Sequence, residues 1–86
     1  MDTREIISFL NYPDRGLVDY ALSCANLTRH EQEILERRYR QSETVEQAAE
    51  YLLISPRTAA TWSASAMDKL DNCWSGKSWV NTLIKQ

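Results

Sequence analysis

The dipeptide Ser55-Pro56 constrains this chain more than any other feature, because it forces a new helix to begin almost where an earlier one ends. Serine is a strong N-cap and proline suits the first helical position, whereas a proline inside a helix removes a hydrogen bond and clashes with the preceding turn. Upstream, Thr44 and Gln47 make a capping-box pattern at the head of a short helix, Thr44 to Leu53, in which Val45, Ala48, Ala49 and Leu52 share a face. The interval before the next start is Leu53-Ile54. Two helices joined so briefly must cross steeply, and Ala48, Ala49 and Ala59 are small enough to let their backbones approach. The spacing predicts a helix-turn-helix.

The remainder also reads as helix. Two prolines and two glycines leave few breaks, and no stretch alternates apolar and polar residues for the length of a strand. Asp2, with Glu5 three residues on, caps a first helix whose Ile6, Phe9 and Leu10 share a face, and Asn11-Tyr12-Pro13 ends it. A second helix spans about Asp14 to Ala25, with Leu17, Ala21 and Cys24 on one stripe that Val18 and Leu22 widen. Thr28 and Glu31 form another capping box, Leu27 ahead of them can staple the first turn, and the third helix ends near Arg40. The helix opened by Ser55 runs to about Trp74 on Ala59, Trp62, Ala66, Met67 and Leu70, with Gly76 as its stop. From Ser78 to Lys85 a last amphipathic segment pairs Trp79 with Leu83 and Val80 with Ile84. The expected fold is all-α, five to six short helices with a central helix-turn-helix. It is read as one domain over 1–86, with an N-terminal helical pair (1–26), a helix-turn-helix core (27–74) and a C-terminal amphipathic segment (75–86).

Size and composition exclude several classes. At 86 residues the chain has one modest core and no room for a second. Apolar residues at 43% and charged residues at 26% rule out a disordered or fibrous class. No apolar run approaches the roughly 20 residues of a membrane span, and Met1-Asp2-Thr3-Arg4-Glu5 lacks the basic-then-apolar order of a secretory signal, so a cytoplasmic protein without membrane association is expected. Cys24 and Cys73 have no second Cys or His at metal spacing and lie among residues of helical period; two buried, reduced thiols are the expectation. The single histidine, His30, falls on an exposed first turn. With no glycine-rich phosphate loop, nucleophile elbow or metal-spaced pair, neither an enzyme nor a cofactor or metal is expected.

The stretch Leu27 to Leu70 resembles the helix-turn-helix shared by LuxR-type regulators and the fourth region of sigma factors. The residues that carry the likeness are Leu27-Thr28 with Glu31, Glu33, Ile34 and Leu35; Arg38-Tyr39; Glu46-Gln47-Ala48-Ala49-Glu50 with Leu52; Ile54-Ser55-Pro56-Arg57-Thr58; and Lys69-Leu70. The resemblance implies recognition of double-stranded DNA in the major groove by the second helix. Carried over by position, Arg57, Ala60 and Thr61 face base edges, while Thr44, Thr58, Ser65 and Lys69 lie near the backbone beside the Ser55-Pro56 start. Ala59, Ala60 and Trp62 depart from the family's usual residues, the first and last as one small-for-large exchange in packing, and Ala60 offers only a methyl contact to thymine.

Charge pulls the other way. Ten basic residues against twelve acidic leave the chain at −2, so phosphate attraction must be local, and Arg37, Arg38 and Arg40 are the candidate phosphate contacts, although a solvated helix end favoured by the macrodipole is the simpler reading of them. The apolar tail, Trp74, Trp79, Val80, Leu83 and Ile84, either packs back on the first two helices or forms a homodimer seam or partner groove. The leading expectation is a DNA-binding transcriptional regulator. The alternative is a protein-interaction module on the same scaffold, binding RNA polymerase, a sigma factor or another regulator.

Overall fold

A computed structural model describes residues 1–84 of the chain. Among these residues there are six α-helices, one π-helical turn and no strand, so the fold is all-α. The helices are α1 (Thr3–Leu10), α2 (Arg15–Ser23), α3 (Arg29–Leu35), α4 (Val45–Leu52), α5 (Pro56–Ser75) and α6 (Ser78–Ile84), with the π-helical turn Glu36–Arg40 running straight on from α3. The sequence expectation for the last segment extended to Lys85, which lies outside the described residues.

Local chemistry accounts for the helix starts. Asp2 and Glu5, Thr28 and Glu31, and Thr44 and Gln47 each close both hydrogen bonds of a capping box. Asp14 accepts from the Leu17 amide to start α2, and Ser55 accepts from the Thr58 amide to start α5, with Pro56 in the first turn.

Helix α5, about 30 Å long at the usual rise, is the spine against which α1, α3, α4 and α6 pack. Its N-terminal half packs on α3 and α4, where Ile34, Ala48, Ala49 and Ala59 are buried and Val45, Leu52, Ile54 and Trp62 close the edges. Its C-terminal half carries Ala66, Leu70 and Trp74 into a second core with Ile6, Phe9 and Leu10 of α1, Val18 and Ala21 of α2, and Val80 of α6. Phe9 meets the Trp74 ring edge-on at 4.9 Å, and the Trp74 indole N–H donates to the Ala21 carbonyl at 3.0 Å.

Two sequence expectations fail here. Cys24, at the end of α2, and Cys73, on α5, are joined in a disulfide with Cα atoms 6.6 Å apart. Nothing local signalled this, since the two cysteines are 49 residues apart and only the packing of α2 on α5 brings them together. The third helix was read as α-helical to Arg40, yet its last five residues are π-wound. The Gln41 amide reaches back to Glu36, and the Glu43 amide to Arg37. Asn11, at the end of α1, donates its side-chain amide to the Tyr39 carbonyl at 2.9 Å, satisfying an acceptor that the widened turn turns outward.

A candidate nucleic-acid interface

The junction between α4 and α5 is closed by backbone hydrogen bonds. The Leu53 amide donates to Glu50 and the Ile54 amide to Ala49, the paired bonds of a Schellman ending. Leu53 takes the left-handed conformation this motif requires (φ 59°, ψ 43°), a position usually held by glycine, and its side chain is 91% exposed. Ser55 then caps α5, and its hydroxyl also donates to the Thr58 hydroxyl at 2.9 Å.

The chain does not run through this junction as one rod. Arg57, Ala60, Thr61 and Ala64, at three- and four-residue spacing, are all exposed, as are Ser55 and Pro56 ahead of them. The row is small apart from Arg57, whose guanidinium makes no ion pair among the described residues. The Thr61 hydroxyl donates to the Arg57 carbonyl, which holds it along the helix surface. Thr44 lies exposed at the start of α4, committed through its hydroxyl to the Gln47 amide.

Other residues of the expected interface are engaged inside the molecule. Ser65 donates to Glu31 at 2.6 Å and Lys69 bonds the same carboxylate at 2.7 Å, so both serve as ties from α5 to α3. Glu31 is only 4% exposed. Burial pushes its carboxyl up, but the bonds from Lys69, Ser65 and Thr28 outweigh that and hold it at about 2.

The three arginines are likewise occupied rather than solvated. Arg37 pairs with Glu43 at 3.1 Å and lies over the Tyr51 ring, 3.2 Å from its centroid. Arg38 donates to the Tyr39 hydroxyl at 3.1 Å and sits 5.0 Å from that ring's centroid. The Arg40 side chain, 11% exposed, lies 3.4 Å from Glu36 and 3.7 Å from Asp19. The π-helical turn is what sends them to different neighbours, and a phosphate clamp built from all three is not formed.

In the apolar tail, Trp74 and Val80 are fully buried, which removes both from any partner surface. Trp79, Leu83 and Ile84 are half-buried against α1 and α2, with Trp79 6.0 Å from the exposed Tyr20 ring. Sequence reasoning passed over Tyr20, Tyr51 and Leu53 as exposed apolar side chains, and over the His30 ring stacked on Trp62 at 4.5 Å. No local signal marked that contact, since His30 lies in the first turn of α3 and Trp62 in the second turn of α5, and only the packing of α3 on α5 brings the rings together.

Comparison with models of known families, with curated proteins and with solved structures finds no match. Among the described residues no three His, Cys, Asp or Glu side chains are grouped as metal ligands, and no helix is long and apolar enough to cross a membrane.

Proposed function

We propose that this protein is a DNA-binding regulator of transcription that reads the major groove with the first three turns of α5, in the manner of the LuxR-type and sigma-region domains that Leu27 to Leu70 resembles. The observation that carries the proposal is the outward row Arg57, Ala60, Thr61 and Ala64, exposed on a helix whose opposite face is locked against α3 and α4. Small side chains allow the helix to lie close to base edges, Arg57 can pair with guanine, and the Ala60 methyl can meet thymine. The starts of α4 and α5 supply backbone N–H groups for phosphate, with Thr44 and Ser55 beside them. The reading places the protein in the cytoplasm with its DNA and assigns it no catalysis and no cofactor.

With Arg37, Arg40 and Lys69 already paired, few phosphates are neutralised, and a salt slope no steeper than about −3 follows from three or fewer contacts. The test is fluorescence anisotropy on duplexes selected from a random pool. Arg57→Ala weakens binding to the selected site by roughly 10- to 100-fold, about 1–3 kcal/mol, whereas Arg37→Ala leaves the salt slope unchanged. Undiminished binding by Arg57→Ala removes the reading face.

One set of observations favours the second reading, an interaction module for RNA polymerase, a sigma factor or another regulator. The paired arginines, the exposed Glu46 and Glu50 on α4, and the net charge of −2 all weaken attraction to phosphate. A homodimer seam or protein contact would use Trp79, Leu83 and Ile84 with Tyr20. A selection that returns no DNA motif, with passage through heparin at low salt, decides for this reading.

A further inference from the structure

We propose that the Cys24–Cys73 bond is a site of thiol–disulfide exchange, taking a small monothiol of the glutathione class or a protein dithiol as its co-substrate, and that its reduction releases α2 while the helix-turn-helix stays folded. The inference is independent of the DNA reading and starts from how α2 is held.

Of the six helices α2 has the slightest attachment. It approaches its neighbours closely at few points, and only Val18 and Ala21, both small, are buried along its length. Its ion pairs, Arg15 to Glu36 at 3.6 Å and Asp19 to Arg40 at 3.7 Å, are long and half in solvent, so they hold weakly. A cleft of about 380 Å³ runs beneath it, with Leu22 and Ser23 on the α2 side and Leu27, Leu35 and Arg40 opposite. Breaks flank the helix on both sides: Asn11 to Asp14 with Pro13 before it, and the left-handed Asn26 after it (φ 51°). The bond to Cys73, with one hydrogen bond from Trp74 to Ala21, is therefore the main tie between α2 and α5. The helix-turn-helix has its own core around Ile34, Ala48, Ala49 and Ala59, to which α2 contributes nothing.

Both cysteines are half-buried at the edge of the core rather than sealed within it. The incoming thiolate attacks one sulfur and forms a mixed disulfide, releasing the other as a thiolate. A second reductant thiolate then attacks the first reductant's sulfur and displaces the remaining cysteine as a thiolate, so the two reductant thiols leave joined in a disulfide, oxidised by two electrons, and two protons from solvent complete the Cys24 and Cys73 thiols.

The test is amide hydrogen exchange on the full chain, oxidised and after reduction with dithiothreitol, read helix by helix. In the reduced protein the amides of Arg15 to Ser23 exchange near the unprotected rate, while those of α4 and the first half of α5 stay at least 100-fold more protected. The double variant Cys24→Ser with Cys73→Ser reproduces that pattern. Loss of protection in step across all helices would make the bond a staple for the entire fold and overturn the proposal. So would unchanged protection of α2, or free-thiol titration in glutathione buffers in which the bond never opens.

Discussion

At Leu53 the backbone needs a left-handed residue and receives a γ-branched one, which costs on the order of 1 kcal/mol and leaves a leucine almost wholly in water. Leu53→Asn keeps the turn with a side chain that tolerates this conformation. It is expected to stabilise the fold by about 0.5–1 kcal/mol, a rise in Tm of a few degrees by calorimetry. Glu31 is the opposite case, a buried carboxylate with every oxygen answered. Its carboxyl is held at about 2 when folded and lies near the ordinary 4.5 when unfolded, so the stabilisation is complete above about pH 4.5 and is lost as pH falls towards 2. Glu31→Gln should lose on the order of 2 kcal/mol at neutral pH and flatten the acid limb of a stability–pH curve. An unaltered acid limb in denaturant titrations at several pH values would count against this.

Among elements, the π-helical turn decides most about the surface. By adding a residue to the last turn after α3 it sends Arg37 towards Tyr51 of α4 and turns Arg40 towards Asp19 of α2. Its Tyr39 carbonyl is satisfied from α1 by Asn11, a bond across 28 residues that links the N-terminal pair to the helix-turn-helix. Asn11→Ala hands that carbonyl to solvent and removes the side-chain bond to Ile7 that closes α1. The expected cost is about 0.5–1 kcal/mol in urea unfolding, with faster amide exchange at Gln41 and Glu43 and little change at Ala59 to Ser63.

For the molecule as a whole, α5 runs through both cores and α3 gives one residue to each, Leu35 to one and Ile34 to the other, within a body 36 Å long and 21 Å across. The disulfide closes a loop that contains α3, α4 and most of α5, and by chain entropy a loop of that size stabilises the fold by about 4 kcal/mol. Reduction should therefore lower the midpoint of the helix-turn-helix by roughly 15 °C while leaving it folded at about 25 °C, with the helical signal of α2 already lost below that transition, measured by circular dichroism with and without reductant. A midpoint that does not move would show that the bond constrains neither state.

The sequence by itself determined the number, order and beginnings of the helices, because a capping box or a Ser-Pro start closes its hydrogen bonds within three residues and needs no distant partner. It also determined the inward set Ala48, Ala49, Ala59, Leu70, since a 3.6-residue period is a property of the helix alone. Tertiary structure decided the rest. Ser65 and Lys69 meet Glu31 across 34 and 38 residues, Cys24 meets Cys73 across 49, and the arginines find carboxylates or rings on other helices. Those engagements depend on which helix faces are buried together. Spacing along the chain therefore identified Arg57 and Thr61 as outward, but could not tell that Arg37, Arg40 and Lys69, basic in the same sequence, had their charge already answered from within.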